Sequence, residues 1–195
     1  MIYEDYVITE DLDLNLPAIN RSCDEFYDLI KKSFTNNEDF SASSTASTQL
    51  FQKYNLLMYP YDQFHELYNS IKNVFRKYCK GNEKYYIQAW LNYYQKGEYI
   101  DWHSHWDPES NTWHGFYCVN CESTASKTTY RLPYIAQDID IISRDNMLVL
   151  SRSECDVHRT WPWEYEGRPR ITVAFDIVPR QHIGPDWALN HWIPI

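Results

Sequence analysis

The sequence has no clustered run of lysine and arginine, no signal-peptide pattern at its start, and no apolar stretch approaching the roughly 18 residues that cross a bilayer. With a net charge of −9, the first absence argues against a protein that grips nucleic acid through its phosphates. The other two predict a cytoplasmic protein with no membrane partner. A second C-x-x-C is also missing, and no internal repeat is present. The five cysteines are odd in number and irregularly spaced, which fits reduced thiols rather than a disulfide framework. Cys118-Val-Asn-Cys121 has the spacing of half a zinc site or of a redox pair, but no Rossmann or thioredoxin-like opening surrounds it. Buried strand thiols are therefore the expectation.

What is present suits one domain over residues 1–195. A chain that is 44% hydrophobic and 17% aromatic can bury a sizeable core. Ser22-Cys-Asp-Glu25 has the form of a capping box, and Phe26, Leu29, Ile30 and Phe34 follow at helical spacing, so a helix is predicted over about 23–35. Pro60 precedes a second apolar stripe, from Phe64 to Tyr78, that predicts a helix over about 61–79, ending near Gly81. Between them the Ser/Thr-rich stretch NNEDFSASSTASTQ predicts a mobile surface loop over about 36–50.

From about residue 85 the pattern changes to short runs rich in Tyr, Trp, Val, Ile and Thr, among them YYIQAWLNYYQ, HGFYCVN, KTTYRLP, IDIIS, MLVLS and RITVAFDIVP. Such spacing predicts a sandwich or open barrel. The expected class is α+β, mainly β: a helical part over 1–84 that buttresses a β core over 85–180, then a C-terminal tail over 181–195.

Three of the seven histidines fall within KGEYIDWHSHWDPESNTWHGFYCVN, and two of these, His103 and His105, are separated by one residue. On a strand that spacing places two imidazoles on one face. A first-row metal needs a third ligand from a distant strand, and His158, between the runs MLVLS and RITVAFDIVP, is the candidate. A rival register uses His105 with Asp107; Pro108, which ends a strand, favours His103 with His105. Trp102, Trp106, Trp113, Trp161 and Trp163 flank the ligand segments, and by strand parity Trp102 and Trp106 should face away from the metal.

The string His103-x-His105, His158 and Arg170-x-Thr172 resembles the non-haem Fe(II), 2-oxoglutarate-dependent oxygenases. The lead-in LNYYQKGEYIDWHSH is similar to the family's, with Asn92, Tyr94 and Gly97 in the matching places, and HGFYCVN is similar to a strand of the prolyl-hydroxylase-like and phage-borne branches. The likeness spans about residues 86–180. It implies a double-stranded β-helix (a jelly roll, as in cupins), with Fe(II) bound by His103, His105 and His158. It further implies 2-oxoglutarate bound by Arg170, Thr172, Tyr94 and Asn92. The implied reaction hydroxylates a peptide side chain or small metabolite, using O2 and releasing succinate and CO2. Position 105 departs from the pattern, since the family usually has a carboxylate there. A cupin is the alternative: Gly97, His103, His105 and Glu109 fit its first motif, and it would bind metal without 2-oxoglutarate. Its second motif is absent before His158, and a cupin has no use for Arg170-x-Thr172.

Overall fold

The computed structural model describes residues 6–34, 45–121, 126–132, 137–155, 157–184 and 191–195. Its β part follows the apolar runs of the sequence. The six expected runs form β2 (Tyr85–Tyr94), β3 (Trp113–Asn120), β4 (Lys127–Arg131), β5 (Asp138–Ile142), β6 (Met147–Arg152) and β8 (Arg170–Pro179). Three shorter strands join them: β1 (Val7–Asp11), β7 (His158–Thr160) and β9 (Ile193–Pro194). They build a six-stranded sheet, β1-β6-β3-β8-β2-β9, and a three-stranded sheet, β5-β4-β7, with antiparallel pairing throughout.

Strand alternation gives the large sheet two different faces. On β8, Ile171, Val173, Phe175 and Ile177 enter the main apolar core, while Arg170, Thr172, Ala174 and Asp176 line a cavity on the other side. The cavity face is continuous across strands, because Tyr94 lies opposite Arg170, Asn92 opposite Thr172, and His114 opposite Asp176.

The core face is covered by α1 (Leu16–Phe34) and α3 (Asp62–Tyr78). Phe26, Phe64 and Phe75 from these helices are wholly buried, and the Phe75 ring meets Tyr85 and Trp113 edge-on at 5.0 and 5.8 Å. Burying such a ring contributes about 1.5–3 kcal/mol. The helices thus act as the expected buttress, with α3 where its pattern predicts. Helix α1 starts seven residues earlier than predicted. Asn15 Oδ1 accepts from the Ala18 amide and Pro17 sits in the first turn, so these residues, and not Ser22-Glu25, open the helix. Ser22 lies inside it and donates to Gln63 on α3.

Two segments depart from the expectation. Residues 7–11, in the part read as helical, form an edge strand paired with β6, and residues 193–194 of the tail pair with β2. Of the predicted loop over 36–50, residues 36–44 lie outside the described residues. The remainder is ordered: Thr45 caps a short helix, α2 (Ala46–Gln49), and Thr45, Ser47 and Leu50 are buried. Its order has a hydrogen-bonding cause. Beyond the short β9, the β2 edge has no strand partner among the described residues; its Tyr93 amide donates to Ser47 Oγ at 3.0 Å, and its Leu91 and Ala89 amides donate to Tyr54 Oη and Asn55 Oδ1, just after this segment, at 3.0 and 3.1 Å. Polar side chains here do the work of a neighbouring strand.

Candidate metal and co-substrate site

His103, His105 and His158 converge. Each offers a ring nitrogen, and these nitrogens lie within 4.8 Å of one another, a spacing at which one ion can be shared. The mechanism of convergence differs from the expected strand face. Residues 101–107 are irregular, and His103 makes an isolated bridge with His158, the two backbones exchanging N–H···O bonds of 3.0 Å. Strand parity therefore does not govern the segment. Trp102 and Trp106, expected to face away, both line the cavity. Asp107 and Glu109, the ligands of the two rival readings, are exposed and outside the histidine cluster.

The far nitrogens of two of the rings are held. His103 Nδ1 donates to the Asp101 carbonyl at 2.7 Å, and His105 Nδ1 lies 2.7 Å from Asp176 Oδ1. A carbonyl can only accept, so the neutral His103 carries its proton on Nδ1 and leaves Nε2 as a lone-pair donor. Burial, and then the charge of His105, push His103 down to about 4, which keeps it in the neutral form that ligates metal. Orientation of a ligand imidazole through its other nitrogen is the usual support of a protein metal site. The donor set therefore fits a divalent first-row ion.

A fourth imidazole, unforeseen as a site residue, completes the cluster. His114 on β3 is buried, lies 4.7 Å from His158 at 13° between planes, and lies 5.0 Å from His105 at 28°. Its Nε2 has no hydrogen-bond partner among the described residues, and burial pushes its pKa well below the usual value. The signal for it was its place in the strand HGFYCVN, whose register sets His114 opposite Asp176.

The cavity encloses about 500 Å³ and extends from the histidines to Arg170. Arg170 is 1% exposed. Its Nη2 reaches Thr128 Oγ1 at 3.2 Å and Ser143 Oγ at 3.5 Å, the buried Cys121 thiol also interacts with the guanidinium, and Nε and Nη1 have no N or O hydrogen-bond partner among the described residues. Among the described residues no carboxylate pairs with it. The Tyr94 ring packs 5.0 Å from the guanidinium, and burial raises the Tyr94 pKa, so that phenol is neutral. A buried cation with no carboxylate partner is costly unless an anion joins it. The arrangement thus fits a carboxylate ligand at this end. Asn92 and Thr172 also line the cavity, with Asn92 Oδ1 accepting from Thr48 Oγ1 at 2.6 Å. All seven sequence-predicted site residues meet in one cavity. Cys118 on β3 and Cys121, just past the end of that strand, are buried free thiols.

Helix-buttressed antiparallel sheets with this cavity have the fold of the 2-oxoglutarate-dependent non-haem iron oxygenases. The chain is similar to an oxidoreductase of the 2OG-Fe(II) oxygenase family from Burkholderia pseudomallei, at TM-score 0.50 and 9% identity over 60% of this chain; it spans 57% of that protein's chain. It is similar to a prolyl hydroxylase from Trichoplax adhaerens, solved with a hypoxia inducible factor oxygen degradation domain peptide fragment, at TM-score 0.67 and 10% identity over 91% of this chain and 85% of that one. A viral collagen prolyl hydroxylase from Paramecium Bursaria Chlorella virus-1, solved with 2OG, matches at TM-score 0.51 and 12% identity over 89% of this chain and 95% of that one. No family model matches the chain, and comparison with curated proteins finds no relative. The resemblance read from residues 86–180 therefore holds at the level of fold, and a fold hosts many chemistries.

Proposed function

We propose that the protein is an Fe(II)- and 2-oxoglutarate-dependent dioxygenase that hydroxylates a peptide side chain or small metabolite, and that its two sheets are the halves of a double-stranded β-helix. The observation that carries the reading is Arg170: a buried guanidinium without a carboxylate partner, in the same cavity as three convergent histidines. A metal-binding cupin explains the histidines and leaves Arg170 without a role.

In this reading His103, His105 and His158 hold the iron, which when bound supplies the redox chemistry that couples O2 to 2-oxoglutarate and substrate. The chain's own residues position the reactants. Arg170 receives the distal carboxylate of 2-oxoglutarate as a charge-assisted pair through its remaining N–H groups, while Thr128 and Ser143 hold its Nη2. Thr172 and Tyr94 line the chamber around that carboxylate, and Asn92 is fixed by Thr48 from α2. Phe51, Trp90, Trp102 and Trp106 form apolar walls that limit water around the reacting centre and accept an apolar substrate group. The Trichoplax hydroxylase, solved with a peptide, and the viral hydroxylase, solved with 2OG, support the choice of co-substrate and a peptide as one substrate class.

The test is an anaerobic titration of 2-oxoglutarate into Fe(II)-loaded protein, followed by charge-transfer absorbance. Truncating one member of a buried charge pair costs about 2–5 kcal/mol, so Arg170→Ala should weaken 2-oxoglutarate at least about thirtyfold with the metal retained. Arg170→Lys should recover only part, because an ammonium lacks the planar fork. Equal affinity for wild type and Arg170→Ala would place the cupin reading first. Each of His103→Ala, His105→Ala and His158→Ala should lose metal, and Asp107→Ala should keep it.

A further inference from the structure

Three neutral imidazoles leave a divalent ion with its full charge, whereas the more common set of two histidines and a carboxylate removes part of it. The cavity nevertheless contains a carboxylate. Asp176 is 7% exposed and lies on the cavity face of β8, six residues along from Arg170. Its Oδ1 is 2.7 Å from His105 Nδ1, and its Oδ2 accepts from Trp106 Nε1 at 3.0 Å. Both oxygens thus face donors, which is the pattern an ionised carboxylate needs when it is buried. His105 is further confined by stacking between Trp90, at 5.7 Å, and His114, at 5.0 Å.

We propose that Asp176 is the missing carboxylate of this centre, moved one residue outward. It is a positioning residue that acts on the metal through His105. By accepting the Nδ1 proton it holds His105 in the tautomer whose Nε2 lone pair is available to the ion, and it makes that imidazole a stronger donor. Trp106, next in sequence to His105, ties down the second oxygen so that the carboxylate cannot rotate away. The charge also balances: the ion and Arg170 bring three positive charges, and Asp176 with a bound dicarboxylate brings three negative ones. The inference rests on the histidine metal site proposed above.

The experiment measures Co(II) affinity of the metal-free protein by competition with a chromophoric chelator, together with the Co(II) d–d spectrum. Asp176→Asn keeps the shape, but its amide cannot accept on both sides and carries no charge. Loss of such a partner weakens metal binding on the order of 10–100-fold, and a shifted spectrum should accompany it. Trp106→Phe keeps the charge and the bond to His105, so its loss should be smaller. Affinity within twofold of wild type and an unchanged spectrum for Asp176→Asn would overturn the proposal. Should that variant not fold, Asp176→Glu decides: an intermediate affinity and altered spectrum support a positioning role, and wild-type values refute it. His105→Ala separates the two levels of the argument. If it too retains Co(II), the metal site itself is misassigned and the role of Asp176 falls with it.

Discussion

A histidine cluster buried without metal has a price in acid, and the arithmetic is set residue by residue. His103 is held at about 4 in the folded protein, by burial first and by His105 second, against about 6.5 in an unfolded chain; Asp101 and Asp176 only partly oppose this. His114 is displaced in the same direction by burial. Between those values the unfolded state binds more protons, so stability is full above about pH 6.5 and falls as pH drops toward 4. Each histidine can contribute a slope of up to about 1.4 kcal/mol per pH unit, less the share that residual exposure screens away. Urea melts of the metal-free protein at pH 7, 6 and 5 should show this decline, and His114→Asn should flatten it. A stability that stays level over that range would contradict the burial of His103 and His114 in their neutral forms.

At the scale of elements, the glycine with least room for a side chain is Gly115, at the centre of β3 between β6 and β8. A Cβ on Gly115 would stand 2.2 Å from the Val149 carbonyl oxygen and 2.6 Å from the Phe175 ring, both fixed in the sheet. Overpacking of a filled core costs about 1–3 kcal/mol, and a contact this close to backbone belongs at the top of that range or beyond. Gly97 offers the contrast. It has φ +82° and open space around it, so alanine there meets only left-handed backbone strain of about 1–2 kcal/mol. Denaturant midpoints should therefore place Gly115→Ala well below Gly97→Ala; the reverse order would mean that the β3 register is wrong. Gly115 adjoins His114, so this packing also sets how close β3 brings that imidazole to His105 and His158.

For the molecule as a whole, the cavity lies between elements that only folding brings together, so its ligands should stabilise the fold. A ligand present at 100 times its Kd adds about 2.7 kcal/mol, which for a chain of this length is roughly 5–11 °C in Tm. Mn(II) alone should raise Tm in wild type and in Arg170→Ala alike, and 2-oxoglutarate should add a second increment that is full in wild type and at most about a third as large in Arg170→Ala, where a thirtyfold weaker site leaves about 0.9 kcal/mol. A second increment of equal size in the two proteins would show that the co-substrate binds elsewhere.

The strand runs from residue 85 onward and the two amphipathic helices were legible in the sequence because period-two and helical apolar spacing are local signals, and the H-x-H spacing set His103 beside His105; Arg170, Thr172, Tyr94 and Asn92 were expected from the family resemblance. The sequence could not determine the helical start at Leu16, where Asn15 and Pro17 prevailed over a more familiar capping pattern. Nor could it assign residues 45–50, which read as loop because the Tyr93 amide of β2 that donates to Ser47 Oγ is 46 residues away in sequence. Tertiary structure alone decided that Trp106, His114 and Asp176 belong to the site. Trp106 enters because the chain leaves regular strand geometry at His103, and His114 and Asp176 meet the histidine cluster only through pairing across β3 and β8. Spacing along one segment can place two ligands side by side, but the groups that orient them and balance their charge come from whichever strands the sheet brings alongside.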